Sequence, residues 1–456
     1  MCGVFGVRAP ERDVARLSYF GLYALQHRGQ ESAGIAVSEQ GRVTTLRDLG
    51  LVAQVFDERA LSGLRGELAI GHTRYSTTGG NAWANAQPIL HHGRARTVAL
   101  GHNGNLVNAA ALRRELGKTL ASTSDSEVIA VLVADDERPL AEAVTATMQR
   151  IDGAATVVGL SDGALFAFRD RYGFRPLVLG RLGDDPVVAS ETCALDLVGA
   201  TFERELRPGE LLIADDEGTR TFQAVEPEAR GSLCIFEFFY LARPDTRLAG
   251  VEIHGARVRM GERLAEESPV EADLVLPIPD SGTPAAIGFA RATGIPFSEG
   301  LIKNRYVGRT FIQPEQGMRE QGIRMKFNPL DEVAGKRLVV VDDSIVRGNT
   351  TRQIVQMLFD AGAAEVHVRI SSPPVIGPCF YGIDFASQDE LIAAHSTVEE
   401  IRDAIGATSL AYISLEGLQA ATHRPATALC RACLTGDYPT AAPEDTAKLR
   451  FEPARA

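Results

Sequence analysis

Leu338-Val339-Val340-Val341-Asp342-Asp343-Ser344-Ile345-Val346-Arg347-Gly348-Asn349-Thr350-Thr351 runs from an unbroken apolar stretch into two adjacent carboxylates and then a turn rich in glycine and hydroxyls. A continuously apolar strand is one buried on both faces, the habit of parallel sheets. Ile354, Val355, Leu358 and Phe359 then mark one face of a helix, and Glu365 to Ile370 alternates as a further strand. Upstream, Asp273 to Ile278 repeats the pattern; the turn Pro279-Asp280-Ser281-Gly282 and a helical stretch from Pro284 to Ala292 follow it. Strand, helix and strand in this order predict a parallel α/β sheet with its ligand site at the carboxyl ends of the strands. The turn after Asp343 offers backbone N–H groups and a helix N-terminus to an anion. Asp342 and Asp343 suit ribose hydroxyls or Mg²⁺. Taken alone, such a pair reads more readily as a solvated turn with two capping acids.

The first half has a different texture. Short apolar runs alternate irregularly with Gly-rich turns, the pattern of a layered α+β domain. Cys2 to Val7 reads as a first strand, Leu17, Phe20, Ala24 and Leu25 fall at helical spacing, and Ser126 to Ala134 reads as a helix with Ser124 or Asp125 as its cap. The change of pattern falls near residues 225–255. The stretch after Tyr438, rich in Ala, Pro and charge, is expected to be a weakly packed tail.

The chain has 456 residues, enough for two or three domains, with 45% hydrophobic and 23% charged residues. That composition excludes wholesale disorder. A net charge of −12 argues against a general nucleic-acid or membrane-surface binder. No apolar run nears the roughly 18 residues of a membrane span, and Arg8, Glu11 and Arg12 interrupt the N-terminus too soon for a secretory signal. The expectation is a soluble, cytoplasmic protein. Six cysteines do not make a disulfide scaffold at this length, and Cys430 and Cys433 form a Cys-x-x-Cys pair.

Cys2 follows the initiator Met, so removal of Met1 would place a free α-amine beside its own thiol. An N-terminal nucleophile can use that amine as its general base. Four dense polar segments accompany it: His27 to Gly34, Gly71 to Thr77, Gly101 to Leu106 and Thr123 to Glu127. With Cys2-Gly3 these resemble, in order, the class II glutamine amidotransferases of the N-terminal nucleophile (Ntn) hydrolase fold, over roughly residues 2–230. The resemblance implies a four-layer αββα domain with Cys2 as nucleophile. It assigns the oxyanion hole to Asn103 and Gly104, the substrate α-carboxylate to Arg74 and the α-ammonium to Asp125. Singly, Asp125 also fits a helix cap and Asn103-Gly104 a hairpin turn.

The Val339–Thr351 segment resembles the phosphoribosylpyrophosphate (PRPP) loop of type I phosphoribosyltransferases. That resemblance puts Asp342 and Asp343 at the ribose and metal, and Ser344, Ile345, Val346, Arg347, Gly348, Asn349, Thr350 and Thr351 around the 5-phosphate. It puts Ser281 near Mg²⁺ in a pyrophosphate-side loop, Lys303 to Thr310 in a mobile lid that includes Arg305, and Lys326 at a further pyrophosphate contact. Gly117-Lys118-Thr119 only mimics a Walker A motif, since Leu112 stands where its first glycine belongs; it reads as a helix end.

The pairing of both halves resembles the glutamine PRPP amidotransferases. It implies a glutaminase domain over 2–230, a phosphoribosyltransferase domain over 231–439 and a tail over 440–456. The implied reaction gives 5-phosphoribosylamine, glutamate and pyrophosphate, the committing step of purine synthesis. Four thiolates suit Zn²⁺ or an iron–sulfur cluster; Cys234, Cys379, Cys430 and Cys433 match the 4Fe–4S ligands of that family's iron–sulfur branch, and Cys193 is left without a role. The family likeness also implies a homo-oligomer, commonly a tetramer, inhibited by AMP, GMP and related purine nucleotides. Two other readings remain: an amidotransferase with another acceptor, and a non-catalytic PRPP or nucleotide sensor.

Overall fold

The computed structural model describes residues 2–304, 325–385 and 387–452. The first half is built on strands β1 (Gly3–Arg8), β2 (Ser32–Glu39), β3 (Arg42–Leu49), β4 (Leu68–Arg74), β5 (Ile89–His92), β6 (Thr97–Leu106), β7 (Gly153–Ser161), β8 (Ala164–Arg169), β9 (Val178–Leu182), β10 (Asp185–Ala189), β11 (Thr201–Glu205), β12 (Glu210–Asp215) and β13 (Gly218–Gln223). They form two sheets, ordered β11-β9-β10-β1-β4-β2-β3 and β13-β12-β8-β7-β6-β5. The twofold period of the strand sorts the β1 side chains. Val4 points between the sheets, against Ile70, Val158 and Leu165. Phe5 and Val7 point the other way, to Leu22 and Leu25 of the Val14–Ala24 helix and the residue after it. That helix comes so close that a Cβ on Gly21 would stand 2.3 Å from the Phe5 ring. The Ser126–Ala134 and Leu140–Arg150 helices cover the outer face of the second sheet. The result is the expected four-layer αββα sandwich.

The second half holds a parallel sheet of Leu274–Pro277, Arg337–Asp342, Glu365–Ile370 and Ser409–Tyr412, in that spatial order. Its strands are buried on both faces, as the apolar runs required. Val275, Val339 and Val341 meet the Ile253–Glu267 and Thr283–Thr293 helices. Leu276, Leu338 and Val340 meet Ile354, Val355 and Leu358 of the Asn349–Asp360 helix. The Ala109–Leu116 helix stops at Gly117 in the left-handed region (φ 61°), so Gly117-Lys118-Thr119 is a helix end. No helix among the described residues is long and apolar enough to cross a membrane.

One expectation fails. The segment after Tyr438 is no loose tail: Tyr381 and Thr440 share a hydroxyl hydrogen bond (2.9 Å), Lys448 pairs with Asp384 (3.0 Å), and Phe451 packs against the helix layer of the second sheet. Its Ala- and Pro-rich composition misleads because its anchors are scattered single residues with no period.

Candidate active site

β1 delivers Cys2 to the seam between the two sheets, where it is 6% exposed. The Cys2 N–H donates to Asn103 Oδ1 (3.2 Å), its thiol to the Tyr75 carbonyl (3.6 Å), and its carbonyl accepts from Arg28 Nε (3.1 Å). Asn103 and Gly104 do not form a hairpin turn; they lie within β6, opposite Thr156 and Ala155. The Asn103 carboxamide is thereby held with its oxygen on Cys2 and its nitrogen buried without a partner. A buried, unpaired donor is costly unless a ligand or reaction state uses it. At Gly104 any Cβ would stand 2.0 Å from the Ala154 carbonyl, so only glycine fits there.

Arg74 ends β4 and is buried. It donates to the carbonyls of Thr78 (3.2 Å), Gly79 (3.1 Å) and Gly80 (3.0 Å), fixing the turn that follows β4. Burial pulls the Arg74 pKa down, while the charges of Cys2, Glu31, Asp125 and Glu452 oppose that shift. A guanidinium so desolvated gains from one more anion. Asp125 stands at the start of the Ser126–Ala134 helix but makes no side-chain cap; it accepts the Leu106 N–H instead (2.8 Å). Two residues before Arg74, burial first and then the Arg74 charge hold His72 down to about 3 against its hydrogen bond to the His102 carbonyl. It is therefore neutral and serves as packing between the sheets.

The second cluster lies at the carboxyl ends of the parallel strands. Ser281 and Ser344 both donate to Asp343 (2.5 Å each), and Asp342 Oδ1 accepts the Asp343 N–H (2.9 Å). Burial, then the Asp343 charge, push the Asp342 carboxyl well above its ordinary range; burial raises Asp343 too, against Ser281, Ser344 and Arg257. Two buried carboxylates held apart from any ion pair among the described residues suit a divalent cation. Gly348 (φ 76°) opens the Asn349–Asp360 helix, whose first N–H groups lack intrahelical partners. The Ile345 side chain goes into the core and only its backbone can face a ligand; Val346 is partly buried, Arg347 pairs with Glu390, and Thr351 is buried. Lys303 reaches Asp280 (2.5 Å), and Lys326 stands 5.4 Å from the Phe327 ring. Arg305 and the rest of the lid stretch to Thr310 lie outside the described residues.

Cys234 and Cys430 sit opposite each other on two short parallel strands, Leu233–Cys234 and Leu429–Cys430. The Cys433 carbonyl accepts from Ile376 and Gly377, just before Cys379. All four cysteines are free thiols. Burial, then the charges of Cys379, Cys234 and Cys430, raise the Cys433 thiol; burial lifts Cys234 to about 11 against the positive charge of Arg175. The four thiols therefore share one electrostatic neighbourhood. Among the described residues, however, no group of three or more His, Cys, Asp or Glu is set to hold a metal ion. Cys193 lies elsewhere, beside Glu191.

Sequence reading missed the residues between the two sites. Glu237 accepts from Arg28 (2.7 and 3.0 Å) and Arg175 (3.3 Å), and Arg28 also pairs with Glu191. All four side chains are fully buried. Burial opposes charge on Glu191, but His27 and Arg28 outweigh it and hold its pKa low. The signal was present: Glu237 is an acid inside the apolar run Cys234 to Leu241.

Known proteins share this layout. A glutamine amidotransferase domain model matches residues 72–197, and a phosphoribosyl transferase domain model matches residues 252–371. The chain is 55% identical to an amidophosphoribosyltransferase of Mycobacterium tuberculosis over 463 residues, covering 98% of this chain and 88% of that one. Its identity to the Bacillus subtilis amidophosphoribosyltransferase is 48%, over 98% and 95% of the two chains. The solved glutamine PRPP amidotransferase from B. subtilis, complexed with ADP and GMP, superposes with a TM-score of 0.91 at 47% identity, over 98% and 99% of the chains.

Proposed function

This chain belongs to the amidophosphoribosyltransferase family, and from that premise we propose how its residues divide the reaction. The enzyme uses glutamine to aminate PRPP in purine biosynthesis, giving 5-phosphoribosylamine, glutamate and pyrophosphate. Arg74 holds the glutamine α-carboxylate and Asp125 its α-ammonium. The Cys2 thiolate attacks the amide carbon, and the carbonyl oxygen becomes an oxyanion met by Asn103 Nδ2 and the Gly104 N–H. Ammonia leaves with a proton relayed through the freed α-amine of Cys2, and water releases glutamate from the resulting thioester. The observation that carries this reading is the Asn103 carboxamide, bonded to Cys2 by its oxygen while its buried nitrogen stands unpaired.

In the second site ammonia attacks the anomeric carbon of PRPP and pyrophosphate departs. Asp342 and Asp343 would hold the ribose and a metal ion, Ser281 would contribute to the same ion, and the Ser344–Thr351 turn would cradle the 5-phosphate with Lys303, Arg305 and Lys326 on the pyrophosphate side. Mg²⁺, when bound, neutralises charge on the leaving pyrophosphate. Two raised, adjacent carboxyls are what a cation would relieve.

For Cys234, Cys379, Cys430 and Cys433 we favour a 4Fe–4S cluster over Zn²⁺. The four thiols would supply the thiolate ligands that such a cluster takes. Its role is structural or oxygen-sensing, because the reaction moves no electrons. We place the domain boundaries near residues 230 and 439, the protein in the cytoplasm as a homo-oligomer, and purine nucleotides as its feedback inhibitors. The test is anaerobic assay of glutamate and pyrophosphate release from glutamine, Mg²⁺ and PRPP, omitting each in turn. Matched, PRPP-dependent release of both is expected; glutamate release without pyrophosphate would point to another acceptor.

A further inference from the structure

The last described residues reach back across the molecule onto the loop folded by Arg74. The Gly79 N–H donates to the Lys448 carbonyl (2.9 Å), and the Gly80 N–H donates to Glu452 Oε1 (2.8 Å). The same oxygen accepts from Thr123 Oγ1 (2.6 Å), two residues before Asp125. Arg450 reaches Thr78 Oγ1 (3.3 Å), and Phe451 lies under the Arg113 guanidinium (4.3 Å). Lys448 is anchored at its other end by Asp384, close after Cys379 in the chain.

These contacts put a carboxylate where the pocket expects one. Glutamine's α-carboxylate needs Arg74 and nearby N–H or hydroxyl donors. Glu452 has already taken the Gly80 N–H and the Thr123 hydroxyl, and its charge acts on Arg74. We propose that residues 445–452 form an intramolecular strap, and that the Glu452 carboxylate competes with glutamine for the carboxylate donors of the glutaminase pocket. The inference rests on the reading of Arg74 and Asp125 as the glutamine-binding pair. The strap lowers apparent glutamine affinity by the fraction of time it is docked. Its Lys448–Asp384 anchor sits on the loop that follows Cys379, so the second half of the chain can set that fraction.

Glu452→Gln and a chain ending at Asp445 test this in the full enzyme. Both should lower KM for glutamine several-fold, leave kcat at saturating glutamine unchanged, and leave ammonia-driven pyrophosphate release from PRPP unchanged. An unaltered or raised KM in Glu452→Gln overturns the strap while leaving the glutaminase reading intact. Absence of glutaminase activity in the parent protein would overturn both. Trypsin supplies a second readout in case truncation impairs folding. In Cys2→Ala protein, which binds glutamine without consuming it, saturating glutamine should speed cleavage after Lys448 and Arg450; an unchanged rate overturns the proposal.

Discussion

At the residue scale the two sites bury polar groups in opposite senses, the Asn103 amide nitrogen without a hydrogen-bond partner in one and the raised carboxyls of Asp342 and Asp343 in the other. Asn103 Nδ2 is buried and unpaired, so in the proposed reaction its cost is met in the folded state and returned when an oxyanion forms beside it. Asn103→Ala should therefore lower glutamine-dependent kcat by about 10²–10³-fold, with ammonia-dependent activity retained; parallel assays with the two nitrogen sources check this. Asp342 gives a pH prediction. Its folded carboxyl is raised by burial and by Asp343. The folded state then binds more protons than the unfolded one, so stability falls as pH rises from the unfolded value through the folded one. Asp342→Asn should flatten that fall in thermal melts without Mg²⁺, raise Tm at neutral pH, and abolish pyrophosphate release. A Tm lower than that of the parent at neutral pH would contradict the assignment.

At the element scale, the parallel sheet was legible because its strands and helices carry their own periods, whereas in the first half only a few elements did and the sandwich followed from the family resemblance. The apolar runs Leu338–Val341 and Cys2–Val7 needed no distant information to read as strands, but which of Val4 and Phe5 faces the second sheet did. What local pattern could not give is where loops land. The loop after Cys379 packs on β6: Asn105 Nδ2 donates to the Phe380 carbonyl (2.9 Å), and a Cβ on Gly382 (φ 103°) would stand 3.1 Å from the Gly104 carbonyl. Gly382→Ala combines backbone strain of about 1–3 kcal/mol with a push on Gly104. It should cut glutaminase turnover by about ten- to a hundred-fold, the scale of small misplacements, while ammonia-dependent transfer survives. The ratio of the two activities is the measurement.

At the scale of the whole molecule, the two halves meet through charge as well as apolar packing. Arg28 holds the Cys2 carbonyl on one side and Glu237 on the other, and Arg175 ties Glu237 to the Tyr381 carbonyl (2.7 Å). This chain of contacts joins Cys2 to the loop that bears Cys379. It was illegible in sequence because its directly bonded partners lie as far as 209 residues apart, and a lone Glu in an apolar run names no partner. Removing one member of a buried ionic network typically costs about 3–5 kcal/mol, because the partners remain buried and charged. Glu237→Gln keeps the shape and removes the charge, so it leaves Arg28 and Arg175 short of an anion. It should lower Tm and also slow glutamine hydrolysis more than ammonia-dependent transfer, since Arg28 loses the group that orients it toward Cys2. Equal loss of both activities would mean that the network only holds the halves together. A selective loss of the glutaminase would mean that the second half of the chain helps to aim the nucleophile of the first.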